Sequence, residues 1–112
     1  DLPLPIGTTD QGYLEAVEEA LGIVSDFSPD ILLFQAGVDG LETDSLGKLS
    51  VSREGMMTRN EMVFSCLGRR IPCIFFMGGG YSDPIVHTVD AFYDLFDAAA
   101  RANASFNTPS AY

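Results

Sequence analysis

At 112 residues, 46% of them hydrophobic, the chain has apolar material for one core and too little length for two domains. Sixteen acidic against six basic residues leave a formal charge of −10, which argues against direct nucleic-acid binding, since phosphate backbones need clustered Lys and Arg. No apolar run approaches the ~20 residues that span a bilayer, and no basic stretch precedes an apolar one at the N-terminus, so neither a membrane partner nor a signal peptide is expected.

Residues 1–9, DLPLPIGTT, hold two prolines and a glycine and read as an extended lead-in. Thr9 or Asp10 suits a helix cap, because either side chain can accept from a free backbone N–H. Tyr13, Val17, Ala20, Leu21 and Val24 then recur at helical spacing, with Glu15, Glu18 and Glu19 on the other face. Pro29 ends that helix near Phe27. Residues 30–36, DILLFQA, show no alternation from Ile31 to Phe34, the pattern of a strand covered on both faces.

Residues 40–51 are loop-like, with Gly40, Asp44, Ser45 and Gly47 as turn formers. Ser52 is placed to cap a second helix, with Glu54 favourable in its first turn and Met56, Val63, Phe64 and Leu67 on its apolar side. Residues 71–77, IPCIFFM, repeat the buried-strand pattern. Ile85, Val89, Phe92 and Phe96 mark a third helix. Residues 105–112, SFNTPSAY, read as a loose tail after a body spanning 1–104. Cys66 and Cys73 fall in an apolar helix pattern and an apolar strand; they read as core thiols, with a disulfide or metal pair as the alternative.

The order helix, strand, helix, strand, helix gives an α/β chain with parallel, crossover-connected strands. Two strands buried on both faces need more partners than 112 residues supply, so the chain reads as the C-terminal part of a larger α/β domain. In such a sheet the two strand ends carry the candidate site. Phe34-Gln35-Ala36-Gly37-Val38 runs into Asp39, and Met77-Gly78-Gly79-Gly80 into Tyr81, so an acid and a phenol emerge at one edge. Plainer readings stand beside this one. Asp39-Gly40 can be a tight turn, Tyr81 a rim tyrosine, and Gly78 to Gly80 an anion cradle. No lysine or G-K-[ST] follows those glycines, which excludes a P-loop, and Asp83 breaks the dinucleotide fingerprint G-x-G-x-x-G. His87, the only histidine, reads as an ordinary helix residue.

Three segments in order carry a resemblance: Leu2-Pro3-Leu4-Pro5-Ile6-Gly7-Thr8 with Asp10; Ala36-Gly37-Val38-Asp39 followed by Asp44-Ser45-Leu46-Gly47-Lys48-Leu49; and Gly79-Gly80-Tyr81. From Leu2 to Phe96 the chain resembles the C-terminal third of the zinc-dependent histone deacetylases and their bacterial relatives. Leu41, Asp44, Arg59 and Val63-Phe64 look most like the class IV branch. The resemblance implies a three-layer, multi-stranded parallel-sheet fold of the arginase and deacetylase kind. It also implies zinc-dependent hydrolysis of N-acetyl- or N-acyl-lysine in histones or other proteins, linked to chromatin regulation in the nucleus or cytoplasm. Asp39 then resembles the third protein ligand of the Zn2+, Tyr81 the donor to the acyl carbonyl, and Leu46 a residue of the acyl-lysine channel. Gly79 and Gly80 would let the backbone approach the substrate, while Asp44 would hold its loop through backbone N–H groups.

Two departures bear on this. Ser45 stands where the family commonly has proline. The histidine pair that serves as base and acid, and the Asp-x-His segment that supplies the other zinc ligands, do not occur in these 112 residues. The expected partners are therefore the N-terminal remainder of the domain and an acetylated lysine substrate, and the isolated chain is expected to be inactive. A non-catalytic scaffold of the same fold is the main alternative, and an anion-binding α/β domain a further one.

Overall fold

The computed structural model describes residues 1–66 and 71–107. Its elements are α1 (Asp10–Phe27), β1 (Leu32–Gln35), α2 (Arg53–Cys66), β2 (Cys73–Phe76) and α3 (Val86–Asn107). β1 and β2 pair in parallel, with Leu32 opposite Cys73 and Gln35 opposite Phe76.

α1 stops where Ser28 turns left-handed, at φ 54°, and its N–H returns to the carbonyls of Val24 and Ser25. Thr9 occupies the N-cap position without a side-chain bond. Asp10 does not cap its own helix either: its carboxylate reaches α2, where Oδ1 accepts from the Ser52 N–H at 2.7 Å. Two backbone bonds bring that partner within range, Gly7 N–H to the Lys48 carbonyl at 2.7 Å and Ser50 N–H to the Thr8 carbonyl at 2.8 Å. Ser52 caps α2 as expected, its Oγ accepting from the Gly55 N–H at 3.0 Å.

All three helices cover one face of the sheet. A first apolar cluster joins Ala36, Val63, Phe64, Leu95 and Ala98 to Leu32, Phe34, Cys73 and Phe75 on the inner strand face. Phe34, Phe64, Phe75 and Phe96 meet edge to face in a chain, with centroids 5.2 to 6.0 Å apart. A second cluster, Val38, Leu41, Val51, Met56 and Ala91, lies beneath the strand ends.

Three expectations change. The strands are not covered on both faces: Leu33 (64% exposed), Ile74 (53%) and Phe76 (45%) open outward. Their unbroken apolar sequence suits cover on that face as well, which the described residues do not supply. Ile85 lies in the turn before α3 and is exposed, as are Val89 and Phe96 on the helix, whose buried face is Thr88, Ala91, Leu95 and Ala98. The bidentate fork of Arg53 on Asp94, at 2.7 and 3.0 Å, fixes that rotation, and small Ala91 and Ala98 let α2 come close. α3 also runs through Asn107, so residues 105–107 are helical where a loose tail was expected; 108–112 lie outside the described residues, as do Leu67 and the Cys66 side chain. Cys73 is half-buried and free, and burial pushes its thiol pKa up.

Candidate active site

The pairing of the two strands continues past their formal ends. The Ala36 N–H donates to the Phe76 carbonyl at 2.9 Å and the Val38 N–H to the Gly79 carbonyl at 2.7 Å. This approach requires glycine. A Cβ on Gly78 would stand 3.0 Å from the Gly37 Cα, and one on Gly80 would stand 2.8 Å from methyl groups of both Val38 and Thr88. Gly78 and Gly80 therefore serve contact between strand ends, a role beside the approach to substrate that the resemblance implies for Gly79 and Gly80.

Asp39 and Tyr81 are brought together over Gly79. The point where a Gly79 Cβ would sit is 2.6 Å from Asp39 Oδ2 and 3.2 Å from Tyr81 Cε2. Both side chains are exposed. Among the described residues, no hydrogen bond or ion pair engages the Asp39 carboxylate.

Asp44 ties the neighbouring loop to this edge. Its Oδ1 accepts from the Leu46 and Gly47 N–H groups at 2.9 and 2.7 Å, and its Oδ2 from the Tyr81 N–H at 2.7 Å. Ser45 N–H returns to the Tyr81 carbonyl at 3.0 Å, and Thr43 and Ser82 share a hydroxyl bond of 2.9 Å. Partial burial pulls the Asp44 carboxyl upward, but the bonds from Gly47, Tyr81 and Leu46 outweigh it and hold the pKa below its ordinary value. Leu46 sits on this loop with 67% of its surface exposed, beside the residue bonded to the Tyr81 backbone. His87 lies on the first turn of α3, exposed. A cavity of about 780 Å³ opens elsewhere, among Phe64, Cys73, Phe75 and Ala98 at the start of β2.

Asp39 fits one carboxylate position of a catalytic zinc, since it is exposed at a strand end with both oxygens uncommitted. Among the described residues no three His, Cys, Asp or Glu side chains are grouped to hold a metal ion, so Asp39 can be one ligand of a set. Two residues named in the sequence have roles at the site that the sequence did not reveal. Arg59 is buried and donates to the Gly37 carbonyl at 2.6 Å; its spacing of three from Met56 and four from Val63, on a core-facing stripe, was the available signal. Asp10 is the other, and nothing in local sequence pointed to Ser52.

Residues 1–93 match the family described as the histone deacetylase domain. The chain belongs to this histone deacetylase family. It is 38% identical over 103 residues to an uncharacterized protein of Picosynechococcus, covering 90% of this chain and 34% of that protein. It is 39% identical over 77 residues to histone deacetylase 2 of Arabidopsis thaliana, covering 67% of this chain and 20% of that one. Among solved structures it resembles the acetylpolyamine aminohydrolase of Burkholderia pseudomallei, with a TM-score of 0.77 at 24% identity, over 88% of this chain and 27% of that one. The likeness to that structure shows the deacetylase fold, of which this chain forms a fragment. The chain thus spans about a third or less of the length of the relatives it matches.

Proposed function

We propose that this chain supplies part of the active site of a zinc-dependent deacetylase acting on N-acetyl- or N-acyl-lysine in histones or other proteins. The observation that carries the reading is the meeting of an uncommitted Asp39 carboxylate and the Tyr81 ring over Gly79, in a chain of the deacetylase family. Zinc, when bound, polarises the acyl carbonyl and lowers the pKa of the attacking water. Asp39 would serve as one of its ligands. Tyr81 would donate its phenolic hydrogen to the acyl oxygen as negative charge develops there, a contribution of about 3 kcal/mol at such sites. Gly79 lies between these two groups, Gly79 and Gly80 together would let the backbone approach the substrate, and Leu46 would line the approach of the acyl-lysine chain. The general base and the remaining ligands come from the N-terminal remainder of the domain, so the isolated chain is inactive. In this reading the enzyme works in the nucleus or cytoplasm, without direct contact to nucleic acid or membrane; its acidic surface suits lysine-rich substrates.

The test is made on the assembled domain, the chain joined to its upstream remainder. Asp39→Asn is expected to deplete bound zinc. Tyr81→Phe is expected to keep zinc and lose at least about tenfold in turnover of an acetyl-lysine peptide. Zinc content unchanged by Asp39→Asn would remove the ligand role, and near-parent turnover in Tyr81→Phe would remove the donor role. A zinc-loaded parent that turns over acetylpolyamine but no acetyl-lysine peptide would replace the protein substrate with a small one. Turnover of neither would make it a non-catalytic scaffold.

A further inference from the structure

Arg59 is 5% exposed, and among the described residues no carboxylate reaches its guanidinium. A buried cation must then be satisfied by neutral acceptors. Those present are few and specific. Nη1 donates to the Gly37 carbonyl at 2.6 Å and stands 3.5 Å from the Tyr13 hydroxyl. Nε and Nη2 both donate to Asn60 Oδ1, at 3.2 and 2.9 Å, and the guanidinium lies over the Phe34 ring, 5.4 Å from its centroid. Asn60 is fully buried, and its Nδ2 has no partner. A buried amide that leaves its donor idle while its oxygen takes two bonds from one guanidinium is spent on orienting that guanidinium.

The bond to Gly37 falls at a particular place. The Gly37 carbonyl and the Val38 N–H belong to a single peptide plane, which is rigid. Its oxygen is held by Arg59 at 2.6 Å and its N–H by the Gly79 carbonyl at 2.7 Å. Asp39 follows directly on that plane. We propose that Arg59 is a positioning residue for Asp39: with Asn60 it pins the Gly37–Val38 peptide from the side opposite β2 and thereby sets the metal affinity of the Asp39 carboxylate. A lysine cannot replace it, because one ammonium cannot span the Gly37 carbonyl and Asn60 Oδ1 in a fixed fork.

This inference rests on the reading of Asp39 as a zinc ligand. It is tested by chelator competition for zinc on the assembled domain, alongside thermal melting of each variant. Arg59→Met is expected to weaken zinc binding by about tenfold or more while the domain remains folded at room temperature, and Arg59→Lys to recover only part of the loss. Asn60→Leu keeps the arginine and removes its guide, so it covers the case in which Arg59→Met does not fold; it is expected to weaken zinc binding by at least about threefold. A purely structural role would lower the melting temperature of the folded variants and leave their zinc affinity at the parent value, and that result overturns the proposal. Asp39→Asn runs in parallel: zinc retained in that variant sinks the ligand reading, whereas zinc lost there but held at parent affinity in folded Arg59 and Asn60 variants sinks the positioning role alone.

Discussion

Adding a single methyl group at Gly79 separates the site from the core beneath it. The new carbon would sit 2.6 Å from Asp39 Oδ2 and 3.2 Å from the Tyr81 ring, so both groups must move. Both are exposed and can do so without unfolding the chain. Gly79→Ala is therefore expected to lose zinc affinity and activity in the assembled domain while its melting temperature stays close to the parent's. Gly80→Ala pushes instead on Val38 and Thr88, which are buried. That change should cost about 1–3 kcal/mol of stability, the usual range for overpacking. Melting and zinc titration of the two variants check the contrast, and equal effects on both readouts would contradict it.

At the scale of elements, the loop around residues 43–47 depends on one carboxylate. Three backbone N–H groups converge on Asp44, and its pKa is held below the ordinary 3.8. A group with a depressed folded pKa contributes stability above its unfolded value and loses it as pH falls through the folded one. The tie between this loop and Tyr81 is thus complete at neutral pH and dissolves only on the acid side of the carboxylate range. Asp44→Asn leaves one oxygen for three donors and turns an N–H2 toward another N–H. It is expected to cost about 1–3 kcal/mol at neutral pH and to flatten the loss of stability between about pH 5 and about pH 2, measured by denaturant unfolding. An acid limb as steep as the parent's would show that other carboxylates control it.

The elements themselves were largely legible. Heptad-like spacing marked α1 and α2, apolar runs marked both strands, and the polar residue at the end of each run marked Asp39 and Tyr81 as neighbours. The unreadable parts are those fixed by partners far away in sequence. The rotation of α3 follows from Arg53 gripping Asp94, and the duty of Asp10 follows from Ser52. The glycines before Tyr81 answer to Gly37, Val38 and Thr88, which no local pattern reveals. The last three residues of α3 read as loop because Ser105 and Asn107 look loop-like, although the alanine-rich stretch before them propagates helix well.

At the scale of the whole molecule, one sheet face and several helix residues remain uncovered. Leu33, Ile74 and Phe76 are exposed together on one face of the paired strands, an apolar patch of the kind that partners cover. The chain produced alone should bind a hydrophobic dye and self-associate, whereas co-production with the upstream remainder should suppress both. A monomeric, dye-silent 112-residue chain would show that this face is not sticky in solution.

Three of the ties around the site span long stretches of chain. Asp10 to Ser52 closes 42 residues, Arg53 to Asp94 closes 41, and Asp44 to Tyr81 closes 37. None of these bonds can form while its segment is still being synthesised, and each forfeits loop entropy before it returns any stability. The strand ends that carry Asp39 and Tyr81 are thus held by contacts of long sequence separation, the kind that returns stability only once a loop has closed. A backbone nick between residues 10 and 94 would fall inside at least one of these closures and would turn that tie from a contact within one chain into a contact between two pieces.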